Sequence, residues 1–226
     1  MYSKPQKTIY FFRHAQSEGN IQRLKSTDED IHLPEQHLTE LGIEQVKKLA
    51  PRVSTLNLEV LISSTMTRAR ETTEIVNQNH NYKIEYSDLF IERRKPSSII
   101  GKLRNDELVS ATEKAWQHTL FTSNQQVEDG DSYDTLIQRS KQCLSFLKAR
   151  KEQTIGVITH EFFLNTIIAQ ATLGETINPI VYQRYQEQHW LENTGMVVLH
   201  YHPEYPYTGW ILWTYNDHSH LDNIKR

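Results

Sequence analysis

Short β-prone runs alternate with stretches of helical periodicity along this chain, and that alternation constrains its fold more than any other feature. Residues 8–12 (TIYFF), 58–62 (LEVLI), 83–90 and 154–159 (TIGVIT) are short, and mostly apolar or β-branched, as strands require. Between them, apolar residues recur at helical spacing. Leu41, Val46 and Leu49 share one face of a helix that Pro51 is expected to end. A second helix is predicted through Arg68 and Ile75 to about residue 77, with Ser63, Ser64 and Thr65 as candidate caps. Others are predicted over 106–119, from a cap at Asp131 or Ser132 to near Lys148, and over 162–171. Strands alternating with helices imply an α/β fold in three layers, a mostly parallel sheet with helices on both faces. Two late runs, 196–201 and 210–215, read as a hairpin-like pair that adds an antiparallel edge strand.

With 226 residues, no repeat and no low-complexity linker, the chain is expected to form a single domain over 1–226. A small insertion is expected at about 93–130, where Arg93-Arg94-Lys95-Pro96 interrupts any regular element. A formal net charge of −3 argues against a general nucleic-acid binder, so an anion site requires a local concentration of positive charge. The single cysteine, Cys143, falls on a helical stripe with Leu136, Leu144 and Leu147 and reads as core. His200 and His202 share a strand face, with His218 and His220 nearby in sequence. No convincing carboxylate or cysteine partner accompanies them, so they read as surface residues and no metal site is expected. No run approaches the ~20 apolar residues of a membrane-spanning helix. The polar start, residues 1–7, lacks the apolar stretch of a signal peptide, and a cytoplasmic protein without a membrane partner is the expectation.

In parallel sheets, ligands bind beyond the carboxyl ends of the strands. Three predicted strands deliver phosphate-compatible residues there. The first stops at Arg13 and His14, the second feeds a helix bearing Arg68, and the run 154–159 stops at His160. Arginine supplies a permanent charge and a planar fork matched to phosphate oxygens. A histidine, titrating near neutrality, can serve as an unprotonated nucleophile.

The motifs around these residues resemble the histidine phosphatase superfamily, which includes cofactor-dependent phosphoglycerate mutases. Arg13-His14-Ala15 is similar to its Arg-His-Gly signature, and Leu38-Thr39-x-x-Gly42-x-x-Gln45 to its first helix. Ser63-Ser64-x-x-x-Arg68-Ala69-x-x-Thr72 resembles its second arginine motif, Asp129-Gly130-Asp131-Ser132 its Gly-Glu-Ser turn, and Thr159-His160 its second catalytic histidine. The chain departs from the pattern at Ala15 and Asp131, and at Glu161, where glycine is common.

The resemblance implies a metal-independent phosphomonoesterase acting on a small phosphorylated substrate, with no cofactor. His14 would be the nucleophile, Arg13, Arg68 and His160 the clamp on the phosphoryl oxygens, and Glu92 the general acid. An ion pair with Arg93 or Arg94 is the alternative role for Glu92, and Glu161 is a second candidate acid. Asn20 and Ser17 are candidate phosphate ligands, with local capping as the alternative. The run Arg93-Arg94-Lys95 is a candidate for gripping a second negative group, with a solvated loop as the alternative, and Lys102 and Arg104 could extend that surface. Glu161 either faces away or favours a substrate carrying an amine or another donor. A phosphoglycerate mutase-type isomerase and a non-catalytic phosphate-binding module are the competing functions. The late β-edge is compatible with a homodimer.

Overall fold

A computed structural model describes residues 4–25 and 30–222; the first three residues of the polar start lie outside the described residues. Six strands form one sheet in the order β3-β2-β4-β1-β5-β6. β1 (Lys7–Arg13), β2 (Val60–Ser63), β3 (Ile84–Tyr86) and β4 (Thr154–Thr159) are parallel. β5 (Met196–Tyr201) and β6 (Trp210–Asp217) run antiparallel at the other edge. The helices are α1 (Glu18–Lys25), α2 (Glu40–Ser54), α3 (Thr67–Asn77), α4 (Glu107–His118), α5 (Tyr133–Ala149), α6 (Glu161–Leu173) and α7 (Pro179–Gln188).

Successive side chains of a strand face opposite sides of a sheet, and β1 shows the consequence. Ile9 and Phe11 pack into the core beneath α5, α6 and α7, whereas Phe12 packs into the core beneath α2 and α3. The chain is thus a three-layer α/β structure with an antiparallel edge. Cys143 is buried in the first core, donates its thiol to the Leu89 carbonyl at 3.1 Å, and is pushed up to about 12 by burial.

Several local expectations are corrected. Pro51 does not end α2, which continues to Ser54. Pro51 and Lys47 lie on the exposed side, where water can satisfy the Lys47 carbonyl that loses its donor, while buried Val53 anchors the last turn. The N-cap of α3 is Met66, without a side-chain cap bond. Ser64 instead accepts the Met66 amide at 3.2 Å and turns its hydroxyl toward His160. The third run supplies only three strand residues, since Ser87 caps a 3-10 turn over Asp88–Phe90.

Residues 93–130 lie outside the sheet and carry a short turn, Ser97–Ile99, and α4, capped by Asp106. The late histidines are not fully exposed surface residues: His202 is buried, and His200, His218 and His220 are half-buried. His202 is 3 % exposed, His200 stacks on Trp213 at 4.9 Å, and His220 meets Thr194 at 2.8 Å. Strand β6 and the segment after it cover them, which spacing alone does not reveal. Among the described residues, no three His, Cys, Asp or Glu side chains form a metal-binding group. No described helix is long and apolar enough to cross a membrane.

Candidate active site

Adjacent parallel strands with matched ends bring their following residues together. Arg13 of β1 lies opposite Thr159 of β4, so His14 and His160 leave the sheet side by side, with ring centroids 5.0 Å apart. His14 Nδ1 lies 2.7 Å from the Ala15 carbonyl. A carbonyl can only accept, so Nδ1 carries the proton and the lone pair is on Nε2. Arg68 Nε–H donates to that Nε2 at 3.1 Å. Burial, then the charges of Arg68 and Arg13, hold His14 well below the usual histidine range, so the ring is unprotonated at neutral pH. His160 Nε2 meets the Ser64 hydroxyl at 2.8 Å, and its Nδ1 has no partner in the protein. Burial and Arg68 hold His160 low as well.

The loop bearing His14 is fastened from two sides. Thr72 accepts the Ala15 amide at 3.1 Å and donates to the Arg68 carbonyl at 2.7 Å, which ties the His14 loop to α3. Thr39 caps α2 through the Gly42 amide and donates to the Gln16 side chain at 2.7 Å. A Cβ on Gly42 would sit 2.1 Å from the Gln16 carbonyl oxygen, so this approach requires glycine.

Arg13 donates to the Leu191 carbonyl and pairs with Glu161 at 3.2 Å, while its Nε is buried without a partner. Glu161 therefore does not face away: its carboxylate meets Arg13, with Arg23 at 3.9 Å. Burial raises its pKa against the pull of both arginines. Glu92 forms no ion pair with Arg93 or Arg94. Its Oε1 accepts the amides of Arg93 and Phe163, each at 3.0 Å, and its Oε2 accepts that of Phe162 at 3.3 Å. The N-terminus of α6 thus fixes this carboxylate against the cavity, which is where such a terminus favours an anion.

The cavity, about 230 Å3, is walled by Arg13, His14, Asn20, Arg68, Glu92 and Lys95 among others. Asn20 Oδ1 accepts from the Ser17 amide, the Ser17 hydroxyl and Asn193 Nδ2, leaving the Asn20 amide nitrogen for a ligand. Ser17 is fully buried, and its hydroxyl is spent on Asn20 Oδ1 at 3.2 Å. Arg93 lines the cavity, but its donors are already engaged by the Asp131 and Trp116 carbonyls and the Gln117 side chain. Arg94 lies off the wall, with its amide and guanidinium on Asp131. Arg104 turns to Glu113.

Of the three basic residues after Glu92, Arg93 and Lys95 line the cavity, and Lys95 keeps a positive group there. Its Nζ donates to Nδ1 of fully buried His32 at 2.9 Å, and Glu113 lies 3.4 Å from the other ring nitrogen. Burial and then Arg104 push Lys95 down to about 8. His32, Arg139 and Asn193 went unnoticed in the sequence, which marks Ser64 as a helix cap and motif residue rather than as the partner of His160. Arg139 alone left a signal, a basic residue on the apolar stripe of α5; it holds the Ile91 and Glu92 carbonyls and thereby sets the course of the chain at Glu92.

The profile of the histidine phosphatase superfamily (branch 1) matches residues 9–214. The chain belongs to that superfamily. Among its sequence relatives, a probable phosphoglycerate mutase GpmB from Proteus mirabilis is 25% identical over 230 residues, covering 96% of this chain and 95% of that protein. Histidine phosphatase folds among solved structures include Bacillus stearothermophilus YhfR, with TM-score 0.75, 20% identity and coverage of 96% and 100% of the two chains. The alpha-ribazole phosphatase of Shigella flexneri has TM-score 0.73, 15% identity and coverage of 93% and 96%. These structural likenesses establish the common fold.

Proposed function

We propose that the protein is a phosphomonoesterase that works through a phosphohistidine on His14 and needs no metal ion. The observation that carries this reading is the state of His14: a neutral imidazole, proton on Nδ1, whose Nε2 faces the guanidinium of Arg68. A bound phosphoryl group would take over the Arg68 donor and leave the lone pair free to attack. Nε2 then bonds to phosphorus as the bond to the ester oxygen breaks. Glu92, at the cavity wall, is the group assigned to pass a proton to that oxygen. Water attacks the phosphohistidine next, passing a proton to Glu92, and phosphate leaves as Nε2 recovers its lone pair. Arg13, Arg68 and His160, whose unpartnered Nδ1 carries the ring proton when Ser64 donates to Nε2, offset the charge on the phosphoryl oxygens, the main task an enzyme performs in this chemistry.

Lys95 supports a small substrate with a polar or anionic group beside the ester. The mutase reading has support in the names of the sequence relatives. Family mutases usually follow the acid with His-Tyr-Gly, whereas here Arg93-Arg94-Lys95 follows Glu92 and Arg93 spends four of its five N–H donors inside the protein.

The test is a panel of phosphate esters with chelator present, followed by alkaline quench to retain acid-labile phosphate on the protein. Release of phosphate in step with the alcohol, plus labelled His14, is expected. Isomerisation of a phosphoglycerate without phosphate release would make the protein a mutase. A stoichiometric requirement for added divalent metal would remove the metal-free mechanism.

A further inference from the structure

The backbone of the Arg13-His14 pair is gripped from behind by the turn that precedes β5. The Thr194 amide is shared between the carbonyls of Arg13, at 3.1 Å, and His14, at 3.4 Å. Asn193 Nδ2 donates to the His14 carbonyl at 3.0 Å and to Asn20 Oδ1 at 3.2 Å. Thr194 does this at a φ of 60°, in the left-handed region that a β-branched residue seldom adopts. Its fully buried side chain holds it there. The hydroxyl donates to the Asn193 carbonyl at 2.6 Å, and His220 Nε2 lies 2.8 Å from the same oxygen. With the hydroxyl hydrogen directed at Asn193, His220 must supply the other hydrogen from Nε2. The remaining nitrogen, Nδ1, is buried without a partner and then carries only a lone pair. Burial and then Arg52 push His220 down to about 4, so the ring stays a neutral donor at neutral pH.

His220 is delivered by a separate fastening. Arg52 of α2 pairs with Asp217 and donates to the Ser219 hydroxyl at 2.8 Å, while Asp217 accepts the Ser219 amide at 3.2 Å. These contacts anchor the short turn Ser219–Leu221 beside the Asn193-Thr194 turn. The superfamily match ends at residue 214, so His220 and the Asp217 and Ser219 contacts that deliver it lie beyond the matched region, while Arg52, Asn193 and Thr194 lie within it.

We propose that His220 is a positioning residue for phosphoryl transfer: through the Thr194 hydroxyl it holds the left-handed turn whose amides fix the Arg13 and His14 carbonyls. His14 Nε2 is thereby aimed without His220 touching substrate. The inference rests on the phosphatase reading for its kinetic test, but its geometric content can be read without turnover.

The experiment pairs kinetics with nitrogen-15 histidine NMR on the full chain. His220→Ala should lower kcat about tenfold or more while KM stays within about twofold, because a misaimed nucleophile slows attack and leaves phosphate binding in place. His220→Gln, which returns an N–H near the lost Nε2, should restore most of kcat. In a Thr194→Gly background, where the turn needs no hydroxyl, His220→Ala should cost little more. The His14 ring should show one Nδ1–H tautomer in the wild type and a tautomer mixture in His220→Ala. His220→Phe fills the space without a donor and replaces the alanine variant if that variant does not fold. Unchanged kcat and an unchanged His14 tautomer would overturn the proposal. So would a loss of kcat that follows thermal stability and is not restored by glutamine. A wild type without phosphatase turnover would remove the phosphatase reading, and the tautomer comparison would then decide the positioning role alone.

Discussion

Arg13 and Arg68 at the carboxyl edge of the sheet, and Arg93 and Arg139 beside the 93–130 segment, are all largely buried, yet Arg68 and Arg93 are in opposite states. Arg93 places its donors on the Asp131 and Trp116 carbonyls and on Gln117, and its guanidinium lies 3.5 Å from the Trp116 ring centroid. Arg139 holds the Ile91 and Glu92 carbonyls, pairs with Asp131 at 2.7 Å and stacks over Phe163, although its Nε, away from the cavity wall, is buried without a partner. At the sheet edge, Arg68 has a histidine lone pair and a weak sulfur contact with Met66, and Arg13 keeps a buried Nε unpaired. Buried donors in folded proteins are nearly always satisfied, so an exception requires a reason. The lesson is that burial of a cation does not mark a ligand site; unfilled donors facing a cavity do.

The most severe way to break this comparison is at the group the open arginines face. His14→Ala removes the nucleophile and should cost about 1,000-fold or more in kcat/KM, with loss of acid-labile phosphate on the protein. Near-normal turnover in that variant would place the chemistry elsewhere.

Arg68→Gln should cost about 100-fold, from the loss of one charge on the transferring group. It should also move the pH profile. Arg68 is among the causes that hold His14 low, so its removal raises the His14 pKa. Protonation then begins at higher pH, and the acid limb of kcat/KM shifts upward. An acid limb that stays in place would mean that Arg68 does not control the nucleophile.

Arg93→Gln, on the saturated side, should have the smallest catalytic effect and a clear structural one. It leaves buried carbonyls unpaired, at a cost of roughly 3 kcal/mol, or a fall in Tm of about 6–12 °C for a chain of this size. Calorimetry and kcat/KM at low temperature separate the two. A drop in kcat/KM as large as that of Arg68→Gln, with Tm unchanged, would erase the distinction between the two regions.

The sequence by itself determined the fold class and the placement of Arg13, His14, Arg68 and His160 at one sheet edge. Both follow from local information: periodicity separates strand from helix, and a residue just past a parallel strand must emerge at its carboxyl end. Only the tertiary structure decided which cations are filled and which are open. Arg93, Arg94 and Lys95 are consecutive and alike in charge, yet Trp116 and Asp131 engage the first two while His32 directs the third to the cavity wall. The same holds for Asn193, Thr194 and His220. They reach His14 because β5 pairs with β1, a neighbour relation set by how the whole sheet buries both its faces and not by any property of residues near the turn.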